Sequence, residues 1–396
     1  MSATAAVPPA GALVRGAATW YSWLLTGAYI YLINVQGNVV PFLQDEFDLS
    51  YRAVSLHSSA IAAGIILVGL FGERVARRIG RRRTLWLAVG GLAAGGILLC
   101  LSPGPAASIP SCFLLGVVGT LIPAVVPALL ADIHGERRAE AYAGQSIIAY
   151  VFGLAAPLIT GLSIWLGFGW RPAVILGAIS GLAIAFCFRR TAIDEPAPQA
   201  SHERRGLPPA FWAYWALLVA SCALEYCILL WAPAFLEQVV GFAPASAAMA
   251  AAGFPLGVLL GRMALSGLVQ RVPQRRLLIG TLAIGLAGFL VYWGFSQPAV
   301  AVVGVFIIGL GVAPLYPLAV HFAVGAAPHS RELASVRLSI AFGVSMLLAP
   351  IALGALADEV GLGLAHLALP ALIAIAYACL FTAEALQKRS AMAASD

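Results

Sequence analysis

Apolar runs of about twenty residues follow one another along almost the whole chain, separated by short polar loops, and this succession limits the possible folds more than any single motif does. In hydrocarbon only a helix or a closed barrel satisfies every backbone N–H and C=O, and one helical crossing takes roughly 20–25 residues. Hydropathy and helix breakers predict twelve such helices, at about residues 18–43, 52–72, 84–101, 109–131, 140–166, 170–188, 211–239, 245–269, 276–295, 298–324, 333–356 and 364–386. With 61% of the residues hydrophobic and only 10% charged over 396 positions, little chain is left beyond spans and loops. A soluble globular enzyme is excluded, and the expected class is an all-α integral membrane protein.

The charges set the expected topology. Arginines crowd into alternate loops: Arg74 to Arg83, Arg137 and Arg138, Arg189 and Arg190, Arg204 and Arg205, Arg271, Arg275 and Arg276, and Arg331. The intervening loops carry Asp45, Glu46, Asp48, Glu237, Asp358 and Glu359, with Arg171 as their main cation. Basic loops stay on the cytoplasmic side, so both termini are expected in the cytoplasm and the chain in the cytoplasmic (inner) membrane. The formal charge of +6 follows from this pattern and forms no basic stripe interleaved with aromatics, so no nucleic-acid partner is expected. The first apolar segment is too long for the core of a signal peptide and reads as a retained span. All six cysteines lie within or beside apolar runs without metal-ligand spacing, so no metal and no disulfide framework is expected.

A shift of 193 residues lays the first half of the sequence on the second. Phe42 and Leu43 fall on Phe235 and Leu236, Arg82 and Arg83 on Arg275 and Arg276, Gly116 on Gly309, Arg138 on Arg331, and Ala156, Pro157 and Gly161 on Ala349, Pro350 and Gly354. With Ser146 and Ile147 falling on Ser339 and Ile340, one offset without gaps across six segments indicates an internal duplication. The proline-rich stretch 189–210 then reads as a cytoplasmic linker between two pseudo-symmetric six-helix bundles, residues 18–188 and 211–386, flanked by cytoplasmic tails at 1–17 and 387–396.

The loop after the second span runs Glu73, Arg74, Val75, Ala76, Arg77, Arg78, Ile79, Gly80, Arg81, Arg82, Arg83, with a weaker echo at 268–276. It resembles the signature Gly-x-Leu-Ala-Asp-Arg-x-Gly-Arg-Arg of the major facilitator superfamily, transporters built from two six-helix halves joined by a cytoplasmic linker. The resemblance covers nearly the whole chain and implies a gate role for Glu73, Arg74, Arg77, Arg78, Gly80, Arg81 and Arg82. The acidic position of the signature is Arg77 here, and Glu73, four residues earlier on the same helix face, is the expected replacement carboxylate. Cys112 occupies the place, four residues before Gly116, where the family often has an arginine. Residues 153–161 only partly resemble the drug-antiporter pattern. Glu225 with Trp231, Ala232 and Pro233, then Gly261 and Arg262, then Pro314 to Pro317, loosely resemble the fucose-permease-like branch of sugar:proton symporters.

An ionisable side chain in mid-membrane is costly and therefore a functional candidate. Glu225 falls at the midpoint of the predicted seventh span, about 21 Å from either end at a rise of ~1.5 Å per residue. It is the expected proton-coupling group, because a carboxyl taken out of water moves readily between its neutral and ionised forms. Asn34 and Asn38 share one face of the first span, Gln36 another, and amides both donate and accept. With His57, Tyr150, Tyr226, Arg262, Tyr316 and Arg337 they form the expected substrate-binding set, and Gln145 and His321 are secondary members. No phosphate loop, His-Glu-x-x-His or nucleophile elbow occurs, so neither enzymatic activity nor a cofactor is expected. The expected function is a monomeric secondary active transporter in the bilayer, moving a small polar organic solute together with protons by alternating access. The alternatives are a proton-driven exporter of amphipathic compounds or metabolites, and a receptor or scaffold that has kept the fold without turnover.

Overall fold

A computed structural model describes residues 15–193, 206–295, 297–327 and 330–393. Most of the predicted linker, with Arg204 and Arg205, lies outside the described residues, as do the outermost parts of both tails and the side chains of Glu73 and Arg331. The described residues form helices and short connections without a strand: α1 (Ala17–Glu46), α2 (Tyr51–Ile79), α3 (Arg81–Leu101), α4 (Pro105–Gly119), α5 (Leu121–His134), α6 (Arg138–Trp165), α7 (Arg171–Cys187), α8 (Pro209–Gln238), α9 (Pro244–Ala250), α10 (Gly253–Leu268), α11 (Gln274–Gly294), α12 (Pro298–Val312), α13 (Leu315–Ala326), α14 (Arg331–Val360), α15 (Leu362–Ala365) and α16 (Ala368–Ala393).

Among the described residues ten helical stretches are long and apolar enough to cross a bilayer, with α7 a shorter apolar helix. Although α1 is 30 residues long, it carries Thr19, Ser22, Thr26, Asn34, Gln36 and Asn38, which lower its hydropathy, and all of them are buried against neighbouring helices. The outer surface is apolar, with Leu101, Trp165, Phe168 and Phe186 among its most exposed side chains, as a lipid-facing surface requires.

Proline chemistry explains where the predicted spans are interrupted. The expected helix 109–131 is divided between α4 and α5 at Thr120, because Pro123 has no amide to offer the Gly119 carbonyl one turn earlier. The expected helix 298–324 is divided between α12 and α13 around Ala313, where Pro314 and Pro317 leave the carbonyls of Leu310 and Ala313 without helical donors. The two breaks are 193 residues apart. The helix expected at 245–269 is likewise interrupted, between α9 and α10.

The same offset recurs in how the helices associate. In the first half α1 lies against α6 and α7, α2 against α4, and α3 against α4 and α7; in the second, α8 lies against α14 and α16, α10 against α12, and α11 against α12 and α16. Gly116 touches the backbone carbonyl of Ile61, and Gly309 touches that of Phe254, so a Cβ at either position would collide with main chain. α2 begins at Ser50, whose Oγ accepts from the Ala53 amide at 3.2 Å, and ends at Gly80, whose φ of 87° turns the chain sharply into α3.

Candidate functional site

A cavity of about 360 Å³ lies where the two halves of the sequence meet. Four faces of regular helical spacing line it: Thr26, Ile30, Ile33 and Asn34 from α1; Gln145, Ser146, Ala149 and Tyr150 from α6; Glu225, Tyr226 and Leu229 from α8; and Phe254, Pro255, Val258 and Arg262 from α10. Tyr316 of α13 and Phe342 of α14 complete it. Tyr226 meets Phe342 edge-on at 5.3 Å between ring centroids. The guanidinium of Arg262 sits over the Tyr150 ring, its Cζ 4.5 Å from the centroid, a cation–π contact across the two halves. Gln145 donates to Thr26 Oγ1 at 3.1 Å, joining two lining residues of α6 and α1.

Of the expected binding residues, Asn34, Tyr150, Tyr226, Arg262 and Tyr316 meet around this cavity with Glu225. Four others do not line it. The Asn38 amide turns back to the Asn34 carbonyl at 2.9 Å, one helical turn away. Gln36 points to a separate, water-sized void of about 10 Å³ shared with Ser58. His57 is fully buried between Ser108 Oγ at 2.7 Å and the Val54 carbonyl at 2.9 Å, a satisfied link between α2 and α4. Arg337 is exposed, and its carbonyl accepts from the Trp215 indole at 2.8 Å. His321 is also exposed. Thr26, Ser146, Phe254, Pro255, Val258 and Phe342 were not anticipated as lining groups. Stepping back from Asn34 by four and eight residues along its helix face reaches Ile30 and Thr26, so part of this wall is present in the helical period.

The loop at 73–83 is held by contacts beyond those expected. Arg81 is only 5% exposed and pairs at 2.7 Å with Asp132, near the end of α5. Glu73 was the expected carboxylate, but its side chain lies outside the described residues, and the described acidic partner is Asp132. Arg82 donates to the Arg189 carbonyl at the end of α7. Its counterpart Arg275 makes a two-pronged contact with Glu384 of α16, at 2.5 and 3.1 Å. Arg74 lies over Phe71, while Arg74, Arg77 and Arg78 are exposed.

At the opposite end of the bundle the halves are sealed. The Asp358 carboxylate, in the last turn of α14, accepts from the backbone amides of Tyr51 and Arg52 at 2.7 and 3.0 Å, the first donors of α2. The Tyr51 hydroxyl donates to Gln238 of α8 at 2.6 Å, and Ser59 donates to the Leu347 carbonyl at 2.8 Å. In the same outer layer Arg171 forms an ion pair with Glu46.

A cavity between two offset-related helical halves, sealed at one end, is the architecture of a membrane carrier. The sequence matches the family description Major Facilitator Superfamily over residues 22–250 and again over 214–394. The chain belongs to the major facilitator superfamily. As a member it is a transporter and not an enzyme. The cyanate transport protein CynX of Escherichia coli (strain K12) is 22% identical over 333 residues, covering 81% of this chain and 84% of that one. Among solved superfamily structures, a bacterial homolog of the human lysosomal transporter Spinster, in an inward-facing and unoccupied conformation, superposes with a TM-score of 0.74 at 17% identity, covering 94% of this chain and 98% of that one. The nucleoside transporter NupG gives 0.77 at 10% identity with 93% and 99% coverage. A D-xylose-proton symporter gives 0.71 at 14% identity with 92% and 96% coverage. At these identities the structural likenesses establish the fold.

Proposed function

We propose that this superfamily member is a secondary active transporter of the cytoplasmic membrane that carries a small polar organic solute together with protons, with Glu225 as the proton-exchanging group. In this reading it spans the bilayer twelve times as two six-helix halves joined at 189–210, with both termini in the cytoplasm. The observation that carries it is the position of Glu225: a carboxyl on a membrane-buried helix that faces a cavity between the halves, opposite the Arg262 cation. A charge so placed can change its protonation as the cavity changes the side it faces, which is what coupling solute flow to a proton gradient requires. The seal at Tyr51, Gln238 and Asp358 supports a cavity reached from the end bearing the basic loops, the cytoplasmic end in this topology. Two relatives support the solute and ion classes: CynX is named for cyanate, a small polar ion, and one structural neighbour is a proton symporter.

Reconstitution in proteoliposomes with an imposed inward proton gradient tests the reading. Solute accumulates against its gradient in the wild type, whereas Glu225→Gln loses that accumulation and keeps solute exchange at equal pH. Equal accumulation by both proteins rules out the coupling role, and lowering of a toxic compound in expressing cells would favour the exporter instead.

A further inference from the structure

Two opposite charges share the cavity without neutralising each other by contact. Glu225 and Arg262 both line it, yet no ion pair within 4.0 Å joins them, and Arg262 Nε is buried without a hydrogen-bond partner. Arginine stays charged in proteins, and a cation held out of water is stable only if an anion or a set of acceptors answers it. The Tyr150 ring answers the face of the guanidinium. The N–H donors lie in the plane of the group, so stacking leaves them available, and their fork matches the two oxygens of a carboxylate.

Charge counting then restricts the ligand. Among the described lining residues Arg262 is the one cation, so a second negative charge on the ligand would face Glu225 with nothing to balance it. The other titratable groups around Glu225 are Tyr150 of α6, Tyr316 of α13, and Cys222 and Tyr226 of α8 itself, hydroxyl and thiol groups that ordinarily carry no charge at neutral pH. From α1 the cavity receives Thr26 and Asn34, and from α14 Phe342, none of them titratable. Leu229, Phe254, Pro255, Val258 and Phe342 give the second-half side of the cavity an apolar wall that suits a hydrocarbon body, while Thr26, Asn34, Gln145 and Ser146 give the first-half side its polar groups.

We propose that the cavity takes a small monocarboxylate with an apolar body, its oxygens on the Arg262 guanidinium, and that Glu225 holds a proton while the anion is bound. The inference rests on the carrier reading and names its substrate class. Empty, the cavity holds one cation and one carboxylate; loaded, it holds one cation, one bound anion and a neutral carboxyl. Both states carry no net charge, so either can be enclosed in low dielectric without an unbalanced ion. The proton enters onto the Glu225 carboxylate from the side where the anion binds and leaves on the side where the anion is released.

Binding to the purified full chain tests this without any flux measurement. The probes are benzoate, phenylacetate and pyruvate, each paired with its neutral amide, together with glycine as a zwitterion and D-xylose as an uncharged sugar. At about 10 mM at least one acid is expected to raise Tm while its amide does not, since a ligand of the folded state alone adds to apparent stability. The wild-type Kd for that acid should rise by up to about tenfold per pH unit between about pH 6 and 8, the slope of one proton taken up per anion, and Glu225→Gln should bind with a flat profile. Arg262→Gln should lose binding, and Arg262→Lys should keep it in weakened form. The pH series needs no variant, so misfolding of a mutant cannot mask the answer. Equal stabilisation by acid and amide, preference for glycine or D-xylose, no response to any of the acids, or a wild-type Kd independent of pH each overturns the proposal. The carrier reading fails separately, on gradient-driven flux.

Discussion

The sealed layer and the cavity layer treat polar groups in opposite ways. At the seal the polar atoms are matched across the two halves: Asp358 answers two amides of α2, and Tyr51 answers Gln238. Nearly four helix turns deeper along α8, about 20 Å, the match is withheld, with Glu225 and Arg262 facing one space and not touching, and with Asn38 Oδ1, Gln36 Nε2 and Ser58 Oγ buried without partners. A satisfied hydrogen bond holds two bodies together, whereas an unsatisfied buried group costs free energy until something supplies the missing partner. The contrast separates surfaces that keep a conformation from surfaces that wait for a ligand.

Breaking the contrast from the cavity side should have the largest effect. Glu225→Gln removes proton-driven accumulation altogether in proteoliposomes, while Asp358→Asn, which changes a carboxylate to an amide in the same way at the seal, leaves accumulation measurable. Equivalent losses from both substitutions would show that the two layers do not divide the work. Next in size is Gly161→Ala. Its added methyl would stand 2.7 Å from the Ala245 carbonyl across the halves, an overpacking that typically costs about 1–3 kcal/mol, so the sealed conformation should lose population. Faster maleimide labelling of a Ser58→Cys reporter in the Gly161→Ala background would register that loss, and an unchanged rate would refute it. Asp358→Ala deletes the acceptor for the first amides of α2, a capping loss of about 1 kcal/mol, or roughly a fivefold shift between sealed and open forms by the same reporter. Smallest of all should be Arg275→Ala, which removes an exposed contact with Glu384 far from both layers: Tm falls only slightly, and flux is retained.

Much of this organisation was legible in the sequence because hydrocarbon imposes it. The run 211–239 was placed almost as α8 is formed, since Pro208 and Pro209 mark its start and an apolar stretch of that length has no alternative in a bilayer. The interruptions at Thr120 and Ala313 were not foreseen, because hydropathy is blind to a missing amide, although Pro123, Pro314 and Pro317 carried the signal. The position of Glu225 on the cavity could be anticipated from the cost of burying charge, and the same ground named Arg262, which lines the cavity, and Arg337, which is exposed. Asn38 and His57 misled for the converse reason: a neutral polar side chain can bond to a carbonyl of its own helix or to one neighbour, so its presence in a span does not say which way it faces, and Gln36 turns to a separate small void. Asp132 was overlooked because it lies near a helix end, where an acid looks like ordinary surface, and only the fold brings Arg81 to it.

The contacts of Gly116 with Ile61 and of Gly309 with Phe254 bear on how such a molecule moves. Where main chain rests on main chain no rotamer change can make room for an added methyl, so these helices lie this close only while both positions are glycine. Any movement of one helix along its partner there has to keep that clearance over its whole path.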